Sequence, residues 1–181
     1  MNNATRKIVK QLADTKRKIT DKELFSSNDY RAYLQNIANV VSGRYGRGAK
    51  VVTDYGKPEE TVACTNDSVI YINTNNVIVR KISDRKEKDL SNIGLIGHES
   101  GHILFTDFVF LNKYEKSLLA GKIYPQTPKK KDFPDDFAGN VDELLAVFDE
   151  GNTAKLKILI KISSELSNIV EDGYVEKRMK E

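Results

Sequence analysis

Residues 94–108 read GLIGHESGHILFTDF and contain the only two histidines of the chain, His98 and His102. Apolar residues recur around them at a spacing that predicts a helix. In a helix, residues four apart lie about 40° apart around the axis, so both imidazoles point the same way. Glu99 directly follows the first histidine and lies about 100° away from it. The stretch therefore predicts a pair of histidines on one helix face with a glutamate beside them.

Two imidazoles in this arrangement can bind one zinc ion at about 2.0–2.1 Å. The glutamate of an HExxH helix does not bind the metal but reaches the water on it. We therefore predict zinc ligands at His98 and His102, with Glu99 as general base and then general acid. The alternative is a histidine pair that is exposed or hydrogen-bonded in the core. Gly101 costs the helix about 1 kcal/mol relative to alanine, which indicates that its neighbourhood needs the space.

A catalytic zinc site needs a third protein ligand and one open position. No third histidine exists, so the ligand is a carboxylate, a tyrosine or Cys64. The last predicted helix offers the carboxylates Glu165, Glu171, Asp172 and Glu176. Glu171 and Asp172 stand among apolar residues, and a buried charge needs a partner. We predict Glu171 as the third ligand and Asp172 as a residue that orients an imidazole.

Composition limits the class of protein. The 181 residues carry a net charge of +3, are 39% hydrophobic and include one cysteine. These values predict one domain in a reducing cytoplasm, without a membrane span or signal peptide. Basic clusters at 6–18 and 129–131 lack interleaved aromatic residues, which favours solvated surfaces over nucleic-acid binding.

Three regions follow one another along the predicted domain 1–181. Residues 1–45 predict helices, residues 49–82 predict strands, and residues 89–181 predict a helical catalytic region. In the first region, one helix begins after Ser26 or Ser27 and ends at Gly43. In the last region, a helix capped by Asp89 or Ser91 precedes a helix from Phe108 to Leu119, a loop at 122–136 and a long final helix capped by Thr153. In the strand region the segments AKVVTD, TVACT, SVIYINT and NVIVRKI predict three or four strands, mostly antiparallel. The last helical pattern continues to Glu181, which favours a fragment of a longer protein.

HESGHILFTDF, followed later by NIVEDGYVEKRM, resembles the gluzincin group of HExxH zinc metallopeptidases. More narrowly, it resembles the peptidase-like region of bacterial and phage proteins that carry a von Willebrand factor A domain, such as cobaltochelatase-associated proteins. The matching residues are Thr106-Asp107, Asn168, Glu171-Asp172 and Glu176. Tyr174 stands where that family has an arginine, so the role of that arginine does not carry over.

The resemblance implies an α+β zincin-like fold, in which a small antiparallel or mixed sheet packs on the HExxH helix and further helices surround it. It also implies Glu171 as the third zinc ligand. Asp107, Asn168 and Asp172 are the candidates that support the ligands. A von Willebrand factor A domain would lie beyond Glu181 in a longer parent protein.

The predicted activity is zinc-dependent hydrolysis of a bond in a peptide or protein substrate. Tyr174 is the first candidate for stabilising the oxyanion, with Tyr114, Tyr124 and Arg178 as alternatives. The strand SVIYINT is a candidate for binding an extended peptide by edge pairing. The alternative function is a non-catalytic module that assembles with an AAA+, chelatase-type or von Willebrand factor A partner.

Overall fold

The computed structural model describes residues 3–13, 19–43, 46, 48–123, 126, 129, 131 and 134–180. The fold class is α+β, mostly helical with one three-stranded sheet. The predictions for Tyr124, for parts of the loop at 122–136 and for parts of both basic clusters concern residues outside this described set. No described helix combines the length and the apolar character that a membrane span requires.

The helices and strands follow one another in chain order. They are α1 (Asn3–Ala13), α2 (Asp21–Phe25), α3 (Asn28–Gly43), β1 (Lys50–Asp54), β2 (Ala63–Thr65), β3 (Val69–Asn73), α4 (Val77–Arg80), α5 (Arg85–Phe105), α6 (Phe108–Leu119), a 3₁₀ helix (Asp135–Phe137), α7 (Ala138–Asp149) and α8 (Thr153–Lys180).

Contacts between Cα atoms divide the chain into two compact units. The first comprises Met1–Thr106 and Val175–Glu181, and it holds the sheet, α1 to α5 and the last turns of α8. The second comprises Asp107–Tyr174, with α6, α7 and most of α8.

The sheet is mixed, with strand order β1-β3-β2. β1 pairs with β3 in parallel, whereas β2 pairs with it antiparallel. The prediction of a mostly antiparallel sheet was therefore wrong for one of the two pairings. The segment SVIYINT forms the central strand β3 and is hydrogen-bonded on both sides. It has no free edge for a peptide, so the predicted edge pairing on this segment is also wrong.

The predicted fourth strand, NVIVRKI, is the short helix α4 instead. The Asn76 side chain accepts hydrogen bonds from the backbone N–H groups of Ile78 and Val79. This cap satisfies N–H groups that a helix start leaves without partners. β-branched residues alone predicted a strand here, and the cap overrides them.

Helix α5 begins earlier than the sequence predicts. Asp84 caps it by accepting from the N–H groups of Lys86 and Glu87. Neither Asp89 nor Ser91, the predicted caps, has that role. At the final helix, Asn152 caps α8 through the N–H groups of Ala154 and Lys155, one residue before the predicted cap, Thr153.

The core of the first unit is formed by helices on one face of the sheet. α5 contacts α3, β2 and β3, and α3 contacts β1. The fully buried side chains include Tyr30, Leu34, Ile70, Ile72, Ile96 and Ile103. These contacts bury one side of α5 in its first half, at Asp89, Asn92 and Ile96, whereas the helix is buried all round from Glu99 to Ile103.

A polar cluster lies within this core. The buried Asp89 carboxylate accepts hydrogen bonds from the hydroxyls of Tyr30 at 2.8 Å and Tyr33 at 3.1 Å. The Asn92 amide donates to the Tyr30 hydroxyl at 3.1 Å. Burial raises the pKa of Asp89, although the two tyrosine hydrogen bonds act in the opposite direction. The same burial, with the neighbouring Asp89 charge, raises the pKa values of both tyrosines.

The raised pKa of Asp89 predicts an unusual pH dependence of stability. The folded carboxyl holds its proton more tightly than the unfolded one, whose ordinary pKa is near 3.8. The stabilisation is therefore complete below that value and is lost as the pH rises through the folded pKa. We expect the free energy of unfolding of the wild type, relative to Asp89→Asn, to increase as the pH falls from 7 to 4. Each unit of pKa difference contributes about 1.4 kcal/mol.

Urea unfolding at several pH values measures this difference. Glu87→Gln, in the exposed first turn of the same helix, is the control and should show no comparable trend. A wild-type advantage over Asp89→Asn that shrinks on acidification would contradict the prediction.

Candidate metal centre

His98 and His102 direct their ring nitrogens at one another. Their Nε2 atoms are 3.2 Å apart, and the two rings meet edge to face with an interplanar angle of 79°. Two nitrogens bound to one tetrahedral zinc at 2.0–2.1 Å are about 3.3 Å apart. The spacing is compatible with one shared zinc ion and equally with a hydrogen bond between the two rings. The i, i+4 pattern on α5 predicted that both imidazoles lie on one face of the helix, and they do.

The other ring nitrogen of His102 is also engaged. Its Nδ1 atom lies 3.0 Å from the hydroxyl oxygen of Thr106. Both residues are buried. Thr106 is the C-cap of α5, and its backbone N–H donates to the carbonyl of His102 at 2.9 Å. The histidine is therefore contacted at its ring and its carbonyl by the same residue.

Glu99 lies on the buried side of α5, towards the sheet. Burial raises the pKa of the Cys64 thiol on β2, and the negative charge of Glu99 raises it further. Glu99 is thus close enough to the edge strand β2 for its charge to affect the ionisation of Cys64. The Cys64 thiol is favoured in its protonated form, which makes it a poor metal ligand.

Three side chains qualify as possible ligands of one metal ion. His98, His102 and Asp172 each offer a ligand atom, and these atoms all lie within 4.8 Å of one another. It is the only such group of three or more potential ligands among the residues that the structure describes. Glu171, predicted as the third ligand, and Cys64, an open alternative, are not members of it.

The last turns of α8 pack closely against α5 in the first unit. A Cβ atom on Gly101 would lie 2.6 Å from Val175 Cγ1 and 3.0 Å from Met179 Cγ. The expectation that Gly101 leaves space for a neighbour is confirmed. One turn further along α5, the Arg178 guanidinium lies 5.4 Å from the centre of the Phe105 ring. This cation–π contact accounts for the position of Arg178, one of the alternative oxyanion candidates.

The other residues predicted to support the ligands, to stabilise the oxyanion or to bind the metal are mostly exposed or make local contacts. Asp107 caps α6 by accepting from the N–H of Phe110 at 2.9 Å. Asn168 and Glu176 are exposed, as is Tyr174 at 48%. Tyr114 is half-buried. The polar sequence neighbours of Glu165 predict a solvated carboxylate. The side chain is exposed and lies 3.9 Å from the Lys161 ammonium, which confirms this prediction.

The predicted apolar setting of the Glu171-Asp172 pair is wrong. Ile169 is 66% exposed and Val170 is 71% exposed, while the two carboxylates are half-buried. The flanking apolar residues on α8 therefore do not bury this pair.

Sequence reasoning overlooked Thr106 as a partner of His102. The signal was present in the spacing, because residue 106 follows residue 102 by one helical turn. The helix ends at that point, and this end allows the hydroxyl to turn back onto the ring.

Comparison of the chain with protein-family models, with curated proteins and with solved structures finds no match.

Proposed function

We propose that this chain is a zincin-like, zinc-dependent peptidase domain acting on a peptide or protein substrate. The observation that carries the proposal is the 3.2 Å separation of the two Nε2 atoms within an HExxH helix. Two uncharged imidazoles with facing lone pairs repel each other unless a proton or a metal ion lies between them. The buried Glu99 on the same helix and the Asp172 carboxylate add the other groups that such a site needs.

Asp172 is the third ligand in this proposal. A carboxylate beside two imidazoles gives a ligand set of the His₂-carboxylate type, which zinc peptidases use. Glu171, one residue earlier on α8, takes the supporting role that the sequence had suggested for Asp172. The two assignments exchange the roles of neighbouring residues and are separable by experiment.

Zinc, when bound, polarises the scissile carbonyl and lowers the pKa of a bound water. Glu99 accepts the proton that this water loses as its oxygen adds to the carbonyl carbon. Glu99 then delivers the proton to the amide nitrogen as the C–N bond breaks. Burial of Glu99 suits this role, because a carboxylate shielded from bulk water releases its proton to the leaving group rather than to solvent.

Metal content tests the proposal directly. We expect one zinc per chain in protein purified without chelators, measured by elemental analysis and by titration of zinc-free protein. Asp172→Asn should lose most of the zinc, because a neutral amide is a far poorer zinc ligand than a carboxylate. Glu171→Gln should retain it with reduced affinity, by about 10- to 100-fold for a supporting residue.

The matched control is Glu165→Gln, which removes an exposed carboxylate from the same helix and should leave zinc binding unchanged. Loss of zinc in Glu171→Gln with retention in Asp172→Asn would reverse the two roles. A wild type that takes up no zinc even when the metal is added back would overturn the proposed function.

A further inference from the structure

We infer that Thr106 is the positioning residue that selects the metal-binding tautomer of His102. A neutral imidazole carries its proton on one nitrogen and a lone pair on the other. The metal binds the lone pair, so His102 can ligate through Nε2 only when the proton lies on Nδ1. The hydroxyl of Thr106 is 3.0 Å from that Nδ1 atom and can accept its N–H.

The geometry of the backbone keeps this hydroxyl in place. Thr106 has an extended conformation, with φ −81° and ψ 132°, directly after the last residue of α5. Its N–H is bound to the carbonyl of His102 at 2.9 Å. A β-branched side chain has few χ1 rotamers, so little freedom remains for the hydroxyl. Thr106 is also buried, and water competes poorly for the ring nitrogen.

The expected effect of Thr106 on zinc binding rests on the proposed function, but the tautomer of His102 can be measured without metal. The alternative is that Thr106 donates its hydroxyl proton to Nδ1, which places the ring proton on Nε2. In that form the Nε2–H of His102 points at Nε2 of His98, 3.2 Å away, and His102 itself must lose that proton before its Nε2 can bind a metal. The two forms give different ¹⁵N chemical shifts at the ring nitrogens.

The experiment compares the wild type with Thr106→Val and Thr106→Ser. In zinc-free protein, ¹⁵N NMR of the imidazoles should show His102 with its proton on Nδ1 in the wild type and in Thr106→Ser. Thr106→Val keeps the shape but removes the hydroxyl, and it should shift His102 to a mixture of tautomers. Zinc affinity, measured by competition with a chromophoric chelator, should fall by about 10- to 100-fold in Thr106→Val and by less in Thr106→Ser.

Thr74→Val is the matched control. Thr74 is a buried threonine whose hydroxyl bonds the carbonyl of Asp54 at 3.0 Å, away from the histidines. The Thr74→Val substitution should leave the tautomer of His102 and the zinc affinity of the folded protein unchanged. Circular dichroism confirms that each variant is folded.

The outcomes separate this inference from the proposed function. His102 with its proton on Nε2 in zinc-free wild type would overturn the inference, whether or not Thr106→Val folds. An unchanged tautomer and unchanged zinc affinity in Thr106→Val would overturn it as well. A wild type that binds no zinc but shows the Nδ1 proton and loses it in Thr106→Val would support Thr106 while the proposed function fails.

Discussion

If the proposed function holds, we expect Glu99→Gln to lower the rate of peptide hydrolysis by about 10²- to 10⁴-fold and to leave the zinc content unchanged. The factor is the usual contribution of a general acid–base residue. The amide of glutamine keeps the size of the side chain but cannot accept the proton at neutral pH. Since Glu99 is not among the groups that converge as ligands, its replacement should leave zinc content unchanged. The measurement is turnover of a fluorogenic peptide mixture together with elemental analysis.

Glu87→Gln is the control for Glu99→Gln. It makes the same change in the exposed first turn of α5 and should keep full activity. Loss of zinc in Glu99→Gln would assign the glutamate to the metal instead of to the proton transfer. Hydrolysis at an undiminished rate would remove Glu99 from the mechanism. Zinc-loaded wild type that cleaves nothing would favour the non-catalytic assembly role.

Gly101→Ala destabilises the protein even though alanine is the better helix former. The new Cβ would meet Val175 Cγ1 at 2.6 Å, which is closer than van der Waals contact allows. Overpacking costs about 1–3 kcal/mol, and the gain in helix propensity offsets about 1 kcal/mol of it. We expect a net loss of up to about 2 kcal/mol in the free energy of unfolding, a factor of up to about 30 in the folded-to-unfolded ratio. Chemical denaturation measures it.

Two further variants test the cause of that loss. Gly94→Ala makes the same change in the same helix, where nothing lies within 4 Å of the new Cβ. It should stabilise the protein by up to about 1 kcal/mol. In a double-mutant cycle, Val175→Ala should relieve part of the cost of Gly101→Ala, because it removes the atom that clashes. Equal effects of alanine at positions 94 and 101 would show that the contact with α8 has no energetic importance.

Much of the helical framework follows from local patterns. α6, predicted from Phe108 to Leu119, has those bounds in the structure, and Gly121 after it has the positive φ of +70° that a helix end often requires. α3 and α8 were also predicted in place. The four-residue spacing of His98 and His102 was sufficient to place both imidazoles on one face. These features depend on residues within a turn or two of one another.

The errors arise where local preference competes with another interaction. β-branched residues in NVIVRKI favour a strand, but the Asn76 side chain starts a helix there. Aspartate is a residue type that often caps a helix, but Asp89 is buried in the core, where its carboxylate accepts hydrogen bonds from Tyr30 and Tyr33. The order of the strands in the sheet cannot be predicted from local composition, because strand pairing joins residues that are distant along the chain.

The sequence by itself determined the histidine pair, the glutamate between them and the need for a small residue at position 101. Helix periodicity is enough for each of these, because the groups lie on one element with known geometry. Only the tertiary structure decided what occupies the space beside Gly101. A Cβ atom at that position would lie 2.6 Å from Val175 Cγ1 and 3.0 Å from Met179 Cγ, both on α8. That packing joins residues more than seventy positions apart, and no local pattern encodes it.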